Sequence, residues 1–571
     1  MSARKGKRNA EAEARADAKA KTKTKTKTKT KTKARARSET TDGDAGTAHD
    51  DTATDPLWGR AAFLGLLGLS VGMLGIRFYA AQVVGFGDSE ALYASYAAHP
   101  QPAFLDHPGL VGLVARAIGE GAIPTPLRVH AVTSLVATLV PWIVFWTARA
   151  AGAARGPAAL AGLIIAVIPE TAVGLFGLTP DLLLAPAWLG VLALAAVAMR
   201  ATAGSNRSAA AFLGAGLLAG VACAAKVSGL LLIGALLFAY LGAAFSSAPA
   251  LRDEGRARAA VRTPWPWAGL AAGVVVLGPI IQFEAKTGWP MLRHRFVDTQ
   301  HAAGGGVVFR NLGALLGGQL AYLSPVFAVL AVIVARDLIR ERSRDAVSRL
   351  LFLAFALPII PLLGMCVWSS VAEPHWIAPA LLVLPIHAAR RVGEVTLSSK
   401  RLTTIALAVA ALLTLIAHAW VLAPASARLL PASADPKIDI ASELYGWPTA
   451  IAAVKEQMAT AGTPFDPEGR EVVVIGPHWT ICAQLQAALP GVRVGCATPV
   501  PDDFDAWLPR EEWRAAEHVL FVTDNRYPGD GAEQLPAHVK EAQSRVRVLR
   551  GGRTSRIFEL YLYDRRAQGS L

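Results

Sequence analysis

Between Ala61 and Leu422 the chain alternates apolar blocks, most of them close to twenty residues long, with short polar stretches. A helix of about twenty apolar residues crosses the hydrocarbon layer of a membrane. Blocks of this character lie near 61–80, 128–148, 157–176, 182–199, 209–225, 227–246, 266–284, 311–335, 350–369, 376–389 and 402–422. The pattern predicts a polytopic α-helical membrane protein of about eleven spans. Beyond Leu422 the apolar runs shorten. Glu471–Gly476 (EVVVIG) and His518–Thr523 (HVLFVT) read as buried strands. Pro448–Ala461 and Thr480–Leu489 read as helices, and Arg545–Tyr563 as two strands joined at Gly551-Gly552. The C-terminal part is therefore expected to be a small α/β domain. Residues 1–56 offer no core: Lys21 to Lys33 is an alternating Lys-Thr repeat in a low-complexity tail. The divisions expected are a basic cytoplasmic tail (1–56), a membrane domain (57–424) and an extracytoplasmic domain (425–571).

Charge adds orientation. The 571 residues are 53% hydrophobic and carry a formal net charge of +14, much of it in the N-terminal tail and in short loops. That distribution argues for membrane topology and against a nucleic-acid-binding surface. With the basic tail inside, every even-numbered span should end at a basic loop. Those loops carry Arg149 and Arg155, then Arg200 and Arg207, then Arg252 to Arg262, then Arg336 to Arg349, then Arg390, Arg391, Lys400 and Arg401. The positive-inside rule thus puts the N-terminus in the cytoplasm and the C-terminal domain outside. No cleavable signal peptide is expected. Cys482 and Cys496 fall in the outer domain, where pairing and separate free thiols are both open.

This topology sorts the ionisable residues. The first outer loop, Gly87 to Leu110, concentrates Asp88, Glu90, His99, Asp106 and His107. The next outer positions carry Thr179-Pro180-Asp181 and Lys226, and a further loop carries Glu284, Lys286, Arg293, His294 and Arg295. Glu373-Pro374-His375-Trp376 precedes the tenth block. Acids and bases converge at helix ends on one face, where ionisable groups near membrane depth mark function. Basic side chains there suit a phosphate, and a carboxylate suits proton removal from an attacking hydroxyl. No His/Cys/Asp/Glu spacing is diagnostic of a metal, and neither metal nor cofactor is expected.

These residues resemble the motifs of the C-type (GT-C) membrane glycosyltransferases, in the bacterial protein-mannosyltransferase-like and aminoarabinose-transferase-like branch. An acidic D-E-A-Y-Y-like motif reads Asp88-Ser89-Glu90-Ala91-Leu92-Tyr93, and a Y-F-D-H-P-P-L-like motif reads Phe104-Leu105-Asp106-His107-Pro108-Gly109-Leu110. T-P-D appears as Thr179-Pro180-Asp181, and an S-K-Y-T-like turn as Ala225-Lys226-Val227-Ser228. Later motifs appear as Gly288-Trp289-Pro290, Gly317-Gly318-Gln319-Leu320 and Glu373-Pro374-His375-Trp376. In three places the chain departs from the pattern. Ser89 splits the acidic pair, Gly109 replaces the second proline, and the lysine turn is altered.

The resemblance implies an enzyme of the bacterial cytoplasmic membrane. It would move a sugar, with inversion, from a polyprenyl-phosphate donor to a hydroxyl on an acceptor lipid, protein or glycan at the outer face. Asp88 or Glu90 would be the general base. Asp106, His107, Lys226, Arg293 and Arg295 would bind donor phosphate and sugar, and Asp181, Glu373 and His375 would position substrate. Two other classes compete. A secondary transporter or lipid flippase would also bury ionisable groups among spans, and a non-catalytic scaffold would use its outer domain to bind a partner.

Overall fold

The computed structural model describes residues 56–246, 252–298, 309–368, 373–391, 398–431, 437–460 and 472–565. The Lys-Thr repeat lies outside them. The first part of the chain is helical: α1 (Pro56–Val83), α2 (Asp88–Ser95), α3 (Leu110–Ile118), α4 (Pro126–Ala151), α5 (Arg155–Val167), α6 (Pro180–Arg200), α7 (Asn206–Ala225) and α8 (Gly229–Ala244). There follow α9 (Arg252–Val261), α10 (Trp265–Val276), α11 (Gly278–Thr287), α12 (Phe309–Tyr322), α13 (Pro325–Arg340), α14 (Ala346–Trp368), α15 (Val383–Arg391) and α16 (Ser398–Leu422).

Six of these helices are long and apolar enough to cross a membrane, or eight if each of two bent pairs counts as one span. The difference from eleven unbroken blocks has local causes. The block near 157–176 contains α5, whose 13 residues end before Pro169; at 1.5 Å per residue such a helix is only ~20 Å long. The block near 266–284 bends by 45° between α10 and α11, at Gly278-Pro279. The block near 311–335 turns through 111° at Ser324-Pro325, where Ser324 has φ 77° and its hydroxyl caps the Phe327 amide. The block near 376–389 is divided into Pro374–Ile377, Ala378–Leu381 and α15. Hydropathy registers the apolar content of such blocks, whereas proline sets where a helix stops or turns.

Small residues bring the helices together. A Cβ on Gly216 of α7 would lie 1.8 Å from the Gly269 carbonyl oxygen of α10, and one on Gly273 would lie 2.5 Å from the Gly216 oxygen. Such backbone contact replaces the hydrophobic drive that lipid cannot supply between helices. Gly216→Leu should therefore force α7 and α10 apart. The expected result is loss of the monodisperse peak in detergent gel filtration, with little effect from the same change at Gly68 of α1, which has helical backbone and no neighbour within 4 Å.

The basic loops gather at one end of the bundle. Arg200 Nη1 donates to the Ala150 carbonyl at 2.8 Å, joining the ends of α6 and α4. Arg349 pairs with Glu254 of α9 at 3.0 Å, Arg390 with Asp345 at 3.0 Å, and Arg391 with Glu341 at 2.5 Å. These contacts tie α9, α13, α14 and α15 together by their ends.

The C-terminal region holds α17 (Trp447–Thr460), β1 (Val472–Gly476), α18 (Trp479–Ala488), β2 (Arg493–Cys496), α19 (Asp503–Trp507), α20 (Arg510–Ala515), β3 (His518–Asp524), β4 (His538–Arg550) and β5 (Arg553–Arg565). One sheet has the order β2-β1-β3-β5-β4. The β2, β1 and β3 strands run parallel, with Val474 opposite both Val494 and Leu520. The β5 strand is antiparallel to β3 and β4, and the β4–β5 hairpin turns at Gly551 (φ 60°) and Gly552 (φ 81°). Left-handed backbone at both turn positions matches the twist of a two-residue hairpin, and glycine adopts it without strain. Cys482 of α18 and Cys496 of β2 form a disulfide, so of the two possibilities the structure has pairing. One face of the sheet continues without a break into the first loop of the helical part. Phe86, Leu92, Tyr96, Phe104 and Leu178 share a buried cluster with Trp447, Ile481, Phe504, Phe558 and Leu560.

Candidate functional site

The first loop is not a surface loop but the wall between bundle and sheet. The α2 helix begins at Asp88, and the two acids in its first turn have different partners. Glu90 is buried. Its Oε1 accepts the Leu178 amide at 2.8 Å, and its Oε2 lies 2.9 Å from His130 Nε2 and 3.3 Å from the Gly87 amide. It thus braces α2 against α4 and the chain entering α6. Asp88 faces the other way. Its Oδ2 accepts from Arg526 Nη1 at 2.7 Å, its Oδ1 accepts from Gln484 Nε2 at 3.4 Å, and its amide donates to Glu443 at 3.2 Å. Arg526 Nε reaches Asp524 at 3.0 Å, and Asp524 also accepts from Arg556 Nε at 2.7 Å. Burial, reinforced by the Asp88 charge, pushes the Glu443 carboxyl up to about 7.

A second group lies farther along the same loop. Residues 103–108 make a tight turn closed by the Phe104 amide on the His107 carbonyl (2.9 Å) and the Gly109 amide on the Pro102 carbonyl (2.7 Å). Asp106 sits at its tip with 39% of its side chain exposed, 3.9 Å from His294. His107 is buried, edge-on to Tyr93 at 5.5 Å. The departure at Gly109 has a steric reason. A Cβ there would fall 2.2 Å from the Gln101 carbonyl oxygen, and a proline would also remove the amide that closes the turn. Gly109→Pro should accordingly open the turn and abolish function while leaving far-ultraviolet circular dichroism nearly unchanged.

Helix ends supply the remaining groups. Thr179 caps α6 by accepting the Leu182 amide at 3.2 Å, which leaves Asp181 in the first turn. Lys226, at the C-cap of α7, donates to both Asp181 oxygens at 2.8 Å. His375 Nε2 is 3.6 Å from Asp181 Oδ2, and His107 lies within electrostatic reach of the same carboxylate. The Gly-Gly-Gln and Glu-Pro-His-Trp motifs interlock to place His375. Gln319 Nε2 donates to the Pro374 carbonyl at 2.9 Å, and a Cβ on Gly318 would meet the Pro374 ring at 2.6 Å. Exposed Glu373 interacts with Tyr322, which also senses Glu170.

Of the residues expected at the site, His107, Asp181, Lys226 and His375 are thus brought together, with Asp106 next to His107 on the same turn and Glu373 at the edge. Asp88 and Glu90 are engaged by the sheet domain and by His130. Arg293 is exposed and pairs with Asp298 at 3.4 Å. The Arg295 side chain lies outside the described residues. Among the described residues no group of three or more His, Cys, Asp or Glu side chains is arranged to hold a metal ion.

Solved structures with this architecture include two of one protein. Crystal structures of ArnT from Cupriavidus metallidurans, one bound to undecaprenyl phosphate and one in the apo state, align with TM-scores of 0.56 and 0.57. Identity is 17% and 16%, and each alignment covers 87% of this chain and 98% of that chain. The fold is that of the GT-C glycosyltransferases. No family model matches the sequence, and no curated protein does. At such identity the likeness lies in the arrangement of helices and outer domain.

Within the GT-C fold two further groups stand beside the expected ones. Glu170, in the turn Pro169–Ala172, lies within electrostatic reach of Asp181, and its buried Oε1 has no hydrogen-bond partner among the described residues. Arg77 of α1 holds that turn by donating to the Thr171 and Ala172 carbonyls at 2.9 and 3.0 Å. Neither was singled out in the sequence, although each stands there as a lone charge in an apolar stretch. Arg526, Glu443 and Asp503, contributed by the C-terminal region, had no sequence signal. Burial pushes the Asp503 carboxyl up to about 7, against the hydrogen bonds it accepts from Leu105 and Tyr96. Its folded pKa thus stands above the ordinary carboxylate value. The stability it contributes is full at acid pH and is lost as pH rises through about 7. Relative to wild type, the melting temperature of Asp503→Asn should rise from pH 4 to pH 7 and level off above, as differential scanning fluorimetry in detergent would record.

Proposed function

We propose that this protein transfers a sugar from a polyprenyl-phosphate carrier to an acceptor hydroxyl at the extracytoplasmic face, with inversion. The observation that carries the reading is the Asp181–Lys226 pair with His375 and His107 beside it, at helix ends away from the arginine-rich loops; Asp106 follows on the same turn as His107. The fold shared with ArnT supports it, since ArnT has been crystallised with undecaprenyl phosphate. The basic loops support a cytoplasmic N-terminus, and the Cys482–Cys496 disulfide supports an outer C-terminal domain. A bacterial cytoplasmic membrane is the setting these features suit.

The chemistry follows from the leaving group. A polyprenyl phosphate departs as a stable anion, so the reaction needs positive charge and N–H donors more than a general acid. Lys226 supplies the charge, and His107, His294 and His375 supply imidazole donors around the departing oxygens. Asp181 holds Lys226 in place and gives up one oxygen contact when phosphate arrives. The acceptor hydroxyl needs a carboxylate within hydrogen-bond reach of its proton. We place that role on Asp106, which the turn presents, ahead of Asp88, whose carboxylate is buried in an ion pair with Arg526. Attack from the face opposite the phosphate inverts the anomeric centre.

The test uses purified protein in liposomes with a panel of radiolabelled polyprenyl-phosphate sugars and crude membrane acceptors. Label should leave the lipid with wild type and be slowed by about 100-fold or more in Asp106→Asn. No release with any donor would sink the transferase reading.

A further inference from the structure

The turn that carries Asp106 and His107 has little regular structure of its own, and a reacting carboxylate must be held within about half an ångström to be effective. Its brace comes from the C-terminal domain. Asp503, the first residue of α19, accepts the Leu105 amide through Oδ1 at 3.0 Å and the Tyr96 hydroxyl through Oδ2 at 2.9 Å. The Tyr96 ring in turn stacks on Phe104, with centroids 3.5 Å apart and planes within 3°. One buried side chain therefore fixes the backbone of residue 105 and, through Tyr96, the ring of residue 104, immediately before Asp106.

Asp503 is itself held by its surroundings. Asp502 caps α19 by accepting the Phe504 amide at 2.9 Å, while Asp505 accepts the Asp502 amide at 2.8 Å. Arg510 pairs with Asp505 at 2.5 Å and donates to the Thr498 carbonyl at 2.7 Å. Trp507, on the same short helix, packs edge-on to Tyr96 at 5.9 Å and stacks on His99 at 4.1 Å. The titratable groups that act on Asp503 most strongly are Tyr96, Asp106 and Asp502. Among the described residues Asp503 makes no ion pair, so the link to the loop is made by the two donors it accepts and not by a salt bridge.

We propose that Asp503 is a positioning residue for the transfer reaction, and that the C-terminal domain completes the active site by setting the Asp106–His107 turn. The inference deepens the transferase reading and rests on it. Asp503 need not touch substrate: it acts through Leu105 and Tyr96.

The test compares Asp503→Ala, Asp503→Asn and Tyr96→Phe with wild type in the liposome assay. Hydrogen–deuterium exchange of the peptide spanning residues 101–110 is measured in parallel. Loss of the brace should lower kcat of the Ala variant by about 10- to 100-fold, with donor KM kept within about threefold. Exchange at the Leu105 amide should quicken by about tenfold. Asp503→Asn keeps an acceptor for that amide and should recover most of kcat, with Tyr96→Phe in between. An Ala variant with wild-type kcat and unchanged exchange overturns the proposal. So does equal loss in the Ala and Asn variants, because the geometry would then not be what matters. If wild type itself transfers no sugar, the transferase reading fails. Exchange then decides alone, and an unchanged 101–110 peptide overturns the positioning role as well.

Discussion

Lys226→Met should slow sugar release by about 100- to 1,000-fold, the usual cost of deleting one preorganised group that meets developing charge. The lysine sits at the C-cap of α7 with both Asp181 oxygens at 2.8 Å, and its side chain is only 11% exposed. Water therefore cannot replace it when phosphate leaves. Methionine preserves the length and the apolar stem, so the substitution removes the charge and leaves the helix end packed. It also leaves Asp181 without its main partner, which for a largely buried pair costs about 3–5 kcal/mol. The double variant Lys226→Met/Asp181→Asn separates the two effects. It should regain most of the wild-type melting temperature and none of the activity. Activity of Lys226→Met within about threefold of wild type would remove Lys226 from the transfer step.

The helical half of this protein was legible because bilayer thickness imposes a length on every apolar block. Where reading and structure diverge, prolines decide at every block but 227–246, whose α8 is only 16 residues long. Pro169 ends α5 early, Pro279 and Pro325 sit at the bends, and Pro374 and Pro379 divide the block before α15. Strands β1 and β3 and most of the β4–β5 hairpin were legible as apolar runs, whereas β2 was not read. The strand order was not legible either, because β2 is four residues long and its parallel pairing with β1 depends on a contact no local pattern encodes.

The site divides in the same way. Asp106 and His107 share one loop, Asp181, Lys226 and His375 come from three others, and each stood out as a polar break at a helix end. Their convergence follows once alternate helix ends are placed on one face. The partners of Asp88 and Glu90 were not accessible to that logic. Glu90 meets His130 from an apolar helix, and Asp88 meets Arg526 across a sequence separation of 438 residues. A carboxylate in a polar loop reads alike whether it faces substrate, a capping amide or an arginine from another domain. Glu170 is the opposite case. A lone acid in an apolar block is costly to bury and marks itself.

Asp88→Asn and Arg526→Gln should each weaken the protein severely, yet the double variant should be far less damaged than their sum. The pair is 2.7 Å long with both side chains less than a tenth exposed, so removing either member leaves an excess charge inside the wall: Arg526→Gln takes the cation from Asp88, and Asp88→Asn leaves Arg526 sharing Asp524 with Arg556. Such a loss costs about 3–5 kcal/mol, whereas removing both charges together spares that penalty. The expected coupling in a double-mutant cycle is about 2–3 kcal/mol, read from chemical denaturation in detergent. Transfer activity adds the discriminating arm. With Asp88 acting as an interdomain strut, activity should track stability and partly return in the double variant. With Asp88 as the base, Asp88→Asn abolishes transfer in both backgrounds however stable the protein becomes. That second outcome would return the base to the start of α2 and leave Asp106 a donor-binding role. Strictly additive stabilities would show that Arg526 and Asp88 do not depend on each other, and the sheet domain would lose this anchor on the first loop.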